Sequence, residues 1–357
     1  MSYLQYIPFS HVNLQDHFFD SLRNGYGQTG FNSWYEKKAQ QGTHAYVLYN
    51  DKQEIDVFLY LKVENKNEDY SNIHPPFLPK RRLKVGTLKA NPHGTKLGER
   101  IIKKIMDHAL EEGVDEIYIT VFSKTHPDLV RLLSRFGFTR WGDQTDTGEC
   151  IYIKKLPTVT GSRYRDYPAI NLEGARFWVL AIYPEFHTRM FPDSILNNES
   201  YDLLRDTAES NTVSKIYLAK MDCITHMSPG DVVLIYRTGD GLAPARFRAV
   251  VTSICVVEEI RDIAQFSSEE MFMKYCHKGS VFTDKELQYF YRTKKYPNII
   301  KMTYNLALKK RVTNGTLIDQ VGLNPNYWGC FHITSLQLQS ILHLGQANER
   351  LLMNKGW

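Results

Sequence analysis

Residues 83–105 read LKVGTLKANPHGTKLGERIIKKI: an apolar strand, a short break, two glycines, and a helix carrying its own lysines. The run RRLKVGTLKA (81–90) predicts a strand. From Thr95 to about Glu112 the apolar residues Leu97, Ile101, Ile102, Ile105, Met106 and Ala109 recur at helical spacing, with charges opposite, so a helix ends at Gly113. A strand entering a helix through HGTKLG exposes the helix's first N–H groups, which have no internal partner. Glycines admit a ligand close to that backbone and the helix dipole favours negative charge, so the turn reads as an anion site, phosphate first. The spacing matches neither the long glycine loop ending in Gly-Lys-Ser/Thr nor Gly-x-Gly-x-x-Gly. A glycine-containing helix start with no ligand is the alternative.

Outward from this turn, THAYVLYND (43–51) and EIDVFLYLKVEN (54–65) are β-rich runs split by the hairpin signal Asp51-Lys52-Gln53. EIYITVF (116–122) reads as a buried strand, a short helix follows at about 127–136 and ends at Gly137-Phe138, and ECIYIKK (149–155) is a last strand. Strands joined through helices predict a mixed α/β sheet. Residues 157–174, PTVTGSRYRDYPAINLEG, lack periodicity and read as a linker. Beyond them FWVLAIY (177–183), KIYLAK (215–220), DVVLIYR (231–237) and FRAVVTSICVVEEI (247–260) are strands, and an amphipathic helix follows Thr334. That half reads as a mainly antiparallel barrel or sheet with peripheral helices.

The length of 357 residues suits two domains rather than one core. At 43% hydrophobic residues the chain is globular, and a net charge of +5 permits a polyanionic partner without requiring one. The five cysteines, Cys150, Cys223, Cys255, Cys276 and Cys330, show no CxxC spacing; they are expected to be reduced, with neither a metal site nor a disulfide. No leader-like start or long apolar run is visible, so a soluble cytoplasmic protein is expected.

Over 1–156 the chain resembles the GNAT acyltransferases, the acetyl-CoA-dependent N-acetyltransferases. The carrying residues are His93-Gly94-Thr95-Lys96-Leu97-Gly98, opening a helix, and His126 to Phe138, a helix ending in Gly137-Phe138. The resemblance implies that the CoA pyrophosphate lies on the backbone of His93, Gly94, Thr95, Lys96, Leu97 and Gly98. It also implies that the pantetheine arm pairs with Leu88, Lys89 and Ala90, and that the acetyl group sits where two central strands splay. Three departures stand out: His93 replaces an Arg or Gln, Lys96 replaces the middle glycine, and Leu133 stands where most members carry the tyrosine that protonates the departing thiolate. His126 is the first candidate for proton transfer, followed by Tyr152 and Ser134. Glu54 and Asp56 are the carboxylates weighed as a base, and none is assigned.

Over about 175–345 the chain resembles the PUA-like superfamily, in its ASCH and EVE branches. The residues are Phe177 to Phe186, Ser228 to Arg237 and Ala249 to Glu258. This implies binding of RNA or a modified base. Residues 285–311 add Lys285, Arg292, Lys294, Lys295, Lys301, Lys309, Lys310 and Arg311 against one acid, with Tyr289, Phe290, Tyr291, Tyr296 and Tyr304 interleaved, the composition of a single-strand or loop RNA binder. A solvated helix face is the alternative. Arg237 with Trp178, Tyr236 and Trp328 could line a base pocket, although Trp178 on an apolar strand reads first as core.

The expected fold is therefore an α/β GNAT domain (1–156), a linker (157–174) and a mainly β PUA-like barrel (175–357). The expected function is acetyl-CoA-dependent N-acetylation of RNA, with tRNA, aminoacyl-tRNA or a nucleobase as acceptor, which could make the protein a translation-blocking toxin. The other readings are a non-catalytic RNA or modified-base sensor on a GNAT scaffold, and a protein amine acetyltransferase.

Overall fold

The computed structural model describes residues 4–50, 52–91, 96–194, 212–277 and 279–356. These divide after Lys155 into two compact units. His93, Gly94 and Thr95 of the glycine turn, and Asp51 of the hairpin, lie outside the described residues.

The first unit contains β1 (Leu4–Pro8), α1 (Asp20–Tyr26), α2 (Gln28–Gln40), β2 (His44–Tyr49), β3 (Ile55–Glu64), β4 (Ile73–His74) and β5 (Arg82–Ala90). Then follow α3 (Leu97–Glu111), β6 (Glu116–Val121), α4 (Pro127–Arg135), β7 (Thr139–Gln144) and β8 (Cys150–Lys155). The strands form one mixed sheet in the order β1-β2-β3-β5-β6-β8-β7-β4. Alternation along β2 and β3 sends their side chains to two covered faces. On one, Phe58 and Tyr60 join Phe31 and Tyr35 of α2 in a core with Phe9 and Phe19. On the other, Tyr46 places its hydroxyl 3.0 Å from His108 Nδ1 on α3. The sheet is thus sandwiched between α2 and α3, whose apolar stripe Ile101, Ile102, Ile105, Met106 and Ala109 is fully buried. Helix α4 ends with Gly137 at φ 79°, and Phe138 N–H closes back on Leu133 at 3.0 Å.

The second unit contains α5 (Arg163–Asp166), β9 (Ile170–Asn171), β10 (Phe177–Ile182), α6 (Pro184–Met190), β11 (Ser214–Ala219), β12 (Val232–Arg237), α7 (Ala245–Arg248) and β13 (Val250–Asp262). It continues with α8 (Glu269–Cys276), α9 (Asp284–Thr293), β14 (Asn298–Thr313), α10 (Asn314–Asp319), β15 (Cys330–Ile333), α11 (Ser335–Leu344) and β16 (Leu352–Met353). Six strands order as β11-β14-β13-β12-β10-β15, antiparallel except for β10 beside β12. An apolar cluster covers each face, one with Trp178, Ile235 and Phe272, the other with Val179, Tyr236 and Leu338.

Three expectations are corrected here. Among the described residues the second sheet is open, with β11 and β15 as unjoined ends, so no closed barrel is present. Residues 157–174 are not a free linker: they carry α5 and β9, which pairs with β16, and they bury Tyr167 and Ile170. Cys223 and Cys330 are disulfide-bonded, their Cα atoms 6.1 Å apart, whereas Cys150, Cys255 and Cys276 are free. A separation of 107 residues gives no local spacing signal. Only the fold brings these two within bridging distance.

Candidate active site

The parallel pair β5–β6 is the centre of the first unit. Its register runs Leu83↔Ile117, Lys84↔Tyr118, Val85↔Ile119 and stops there. Strand β5 nevertheless continues beside β3 as far as Ala90↔Val57, and β6 continues beside β8 as far as Val121↔Cys150. The two central strands therefore part after Val85 and Ile119. Among the described residues, from Gly86 onward the β6-facing edge of β5 has no strand partner, which leaves backbone groups for an extended ligand to pair with.

Strand β5 leads to the N-terminus of α3. No side chain caps this helix at Lys96, the residue before its first turn. Glu99, at the position from which a glutamate often closes a cap, instead joins Arg135 at 3.1 Å. A helix start whose N-cap residue makes no side-chain cap bond is one that an anion can complete. Leu97 is buried, and Gly98 faces α4: a Cβ there would meet Leu132 Cδ2 at 2.8 Å. Packing against α4 accounts for this glycine. On β5, Leu88, Lys89 and Ala90 are half-buried, and the Lys89 ammonium donates to Phe18 O and lies 4.6 Å from that ring's centroid. Burial holds the Lys89 pKa below the usual lysine value, with the Arg23 charge adding to the effect.

Where β5 and β6 part, a cleft of about 250 Å³ opens on the α2 face, with Gly86 and Thr120 at its head. Register puts Lys62, Lys84 and Tyr118 side by side in its wall. Tyr60 is packed so close to β5 that a Cβ on Gly86 would lie 2.7 Å from its ring, so glycine leaves room for that aromatic wall. At the base stands Glu64, 2% exposed. Its Oε2 accepts from Tyr118 at 2.6 Å and Tyr70 at 3.2 Å, and its Oε1 accepts from Lys62 at 3.1 Å. Lys62 is also bonded to Glu68. Burial works against the Lys62 charge, but the bonds to Glu68 and Glu64 outweigh it and raise the pKa. Burial, then the Glu64 charge, raises the Tyr118 phenol far above its ordinary value. A carboxylate offers about four acceptor positions. Among the described residues three donors reach Glu64, which leaves about one acceptor position toward the cleft.

The sequence candidates stand elsewhere. His126 is exposed and precedes α4 without a side-chain cap bond. Ser134 is half-buried on α4, and Leu133 is fully buried, so no proton donor stands at that position. Tyr152 is buried opposite Ile119, one step out of phase with Tyr118, and so on the sheet face away from the cleft; burial raises its pKa. Among the described residues no hydrogen bond joins His126, Ser134 and Tyr152. Glu54 is exposed and accepts from Asn50 at 3.0 Å, while Asp56 is buried. Sequence reading missed Glu64. Its signal was an acid in phase with Tyr60 and Lys62 on a strand otherwise rich in apolar residues.

In the second unit the cations of 285–311 separate. Lys294 caps the end of α9 and lies 3.6 Å from the Tyr291 ring centroid, and Lys295 lies 5.3 Å from that of Tyr296. Tyr296 is half-buried against Phe290, and Arg292 pairs with Glu269 at 3.2 Å. Lys301 pairs with Glu258 at 2.6 Å. Lys309 and Lys310 are exposed near the far end of the 16-residue β14, where Arg311 donates to Leu308 O. Arg237 is buried at the end of β12. Trp178, whose Nε1 donates to Asp231 at 2.9 Å, lies on one sheet face, and Tyr236 with Trp328 on the other, so these rings do not line one pocket. A buried polar chain links His187 to Thr252 at 2.8 Å, Thr252 to Ser253 at 3.1 Å, Ser253 to Ser194 at 2.7 Å and Ser194 to Tyr304 at 2.8 Å.

Among the described residues no group of three metal-ligating side chains occurs, and no helix is long and apolar enough to cross a membrane. No family model and no curated protein matches the sequence. Among solved structures, an ASCH protein of Zymomonas mobilis is 9% identical with a TM-score of 0.30, covering 47% of this chain and 95% of its own. The N-acetyltransferase PseH of Campylobacter jejuni, solved in complex with acetyl coenzyme A, is 17% identical with a TM-score of 0.29, covering 44% of this chain and 99% of its own.

Proposed function

We propose that the first unit is an acetyl-CoA-dependent N-acyltransferase. The observation that carries this reading is the parting of β5 and β6 after Val85 and Ile119, with a charged cleft at the fork. The β6-facing edge of Gly86–Ala90 would hold the pantetheine arm, and the first amides of α3, where Lys96 makes no side-chain cap bond, would hold the phosphates. When bound, acetyl-CoA supplies an acyl carbon that accepts an amine in exchange for its thiolate. The chain's part is to bring the amine into the cleft and pass its proton to Glu64, which lies opposite Arg82, three residues back from the fork, by way of water in the cleft. With Leu133 in place of a phenol, the thiolate takes its own proton from solvent. A thiolate is a good enough leaving group to manage without an acid.

The acceptor belongs to the finer part of the proposal. RNA, tRNA first, is the macromolecule that the second unit would recognise, supported by exposed Lys309 and Lys310, by Lys295 beside exposed Tyr289 and by Lys294 beside Tyr291. The cations lie toward the two ends of β14, so RNA would have to follow the strand rather than sit on one patch. Two assays test these parts separately. Release of free thiol from acetyl-CoA, with small amines and with total RNA as acceptors, tests the transfer; no release from any acceptor rejects it. RNA affinity against salt tests the reader: Lys309→Glu with Lys310→Glu should lower the salt slope by about 2. An unchanged slope removes RNA from the account.

A further inference from the structure

We propose that the cleft of the first unit takes an amine that also carries an anionic group, a carboxylate or a phosphate, and that Lys38 and Lys84 hold that group. The inference rests on the acyl-transfer reading and names its acceptor class. Three lysines line the cleft, and they are not equivalent. Lys62 is neutralised by Glu64 and Glu68. Lys38, on α2, reaches only the Gln41 amide oxygen at 3.4 Å and stands 5.6 Å from the centroid of the Tyr60 ring. Lys84, on β5, stands 5.6 Å from the Tyr118 ring centroid. Neither makes an ion pair among the described residues.

Like charge gathers around Lys38. Burial first, then the charges of Lys62 and Lys37, hold its pKa below the usual lysine value, with Lys84 contributing in the same sense and Glu68 opposing. Glu68 and Asp69 also line the cleft, but among the described residues neither is within ion-pair distance of Lys38 or Lys84, so these two cations repel each other and can turn to an anion. The register fixes the rest. Lys84 lies opposite Lys62, and Glu64 is two residues further along β3 on the same face. Two strand residues span roughly 7 Å, so the ammonium and anion sites suit a short bifunctional molecule. An amine without an anionic group would use Glu64 alone, and a polyamine would meet repulsion from both lysines.

Calorimetric titration of the full chain, without thioester, decides the point. The probes are O-phosphoethanolamine and β-alanine, with ethanolamine, which lacks an anionic group, as the control. Both anionic amines should bind at least about tenfold tighter than ethanolamine, in line with a charge-assisted contact. The stronger of the two identifies phosphate or carboxylate as the anion. Lys38→Met and Lys84→Met should each cost the anion-bearing amines their advantage over ethanolamine, about tenfold, and Lys84→Arg should restore it. Equal affinity for ethanolamine, or a preference that survives both methionine variants, overturns the inference. Thiol release from acetyl-CoA with the same amines reads the transferase separately. Equal release from amines with and without an anionic group overturns the anion site and keeps the transferase; anion-selective binding with no release from any amine overturns the transferase and keeps the anion site.

Discussion

The hydroxyl of Tyr118 donates to Glu64 Oε2 at 2.6 Å, and both residues are almost wholly withdrawn from solvent. Tyr118 comes from β6, one of the two strands that part at the fork, and Glu64 from β3, on the far side of β5. Their contact ties the floor of the cleft to the sheet geometry that opens it. Replacing Glu64 by Gln should lower the acetyl-transfer rate by about 10²–10⁴ without changing the KM for acetyl-CoA. Tyr118→Phe should instead cost about 1–3 kcal/mol of stability, read from urea unfolding, because the carboxylate loses a buried donor. A Glu64→Gln enzyme with an unchanged rate removes Glu64 as the proton acceptor.

Gly98 offers a test of packing against ligand approach. In a helix Ala is favoured over Gly by about 1 kcal/mol, but here a Cβ would press on Leu132, 2.8 Å away. Gly98→Ala should therefore gain little in the wild type. In a Leu132→Ala background it should gain the full propensity, with a coupling of at least about 0.5 kcal/mol in the double-mutant cycle. Strict additivity, together with loss of acetyl-CoA binding by Gly98→Ala, would assign the glycine to the ligand instead.

His187 makes the second unit sensitive to acid. Burial first, then the charges of Arg237 and Arg311, push its pKa down to about 3. The unfolded chain takes up that proton near pH 6.5, so between 6.5 and 3 the unfolded state binds more protons and stability rises with pH. The contribution is complete above 6.5 and is lost, going down, at about 1.4 kcal/mol per pH unit. His187→Gln should flatten the stability curve between pH 6 and 4 relative to wild type. Parallel curves for the two proteins would show that the imidazole is protonated in the fold.

The Cys223–Cys330 bridge closes a span of 107 residues. A loop of that size corresponds to roughly 4–5 kcal/mol in the chain-entropy model. Reduction should lower the thermal midpoint of the protein, and Cys223→Ser should abolish the effect of the reductant. Full alkylation of both thiols in native, unreduced protein would contradict the bridge.

The sequence marked β5, α3, β6 and α4 because each has a single, strong period. It did not mark β14, the longest strand among the described residues. Its stretch Asn298–Thr313 ends in Lys309, Lys310 and Arg311, and the charge masked the alternation. The cysteine pair and the open edges of the second sheet depend on which strands meet, which no local pattern encodes. The cleft was half legible. A splay between central strands was implied by the resemblance, and its position after Val85 follows from register alone. Glu64 was hidden because an acid at a strand end usually faces water. Only the fold shows three donors converging on it.

The most direct test of the account is amide hydrogen exchange with and without saturating acetyl-CoA. If the thioester lies along the free edge of β5 and on the start of α3, the amides in 86–90 and 97–99 gain protection while those of the second-unit sheet stay unchanged. Unaltered exchange across both segments, in protein that is folded and saturated with ligand, would contradict the central claim.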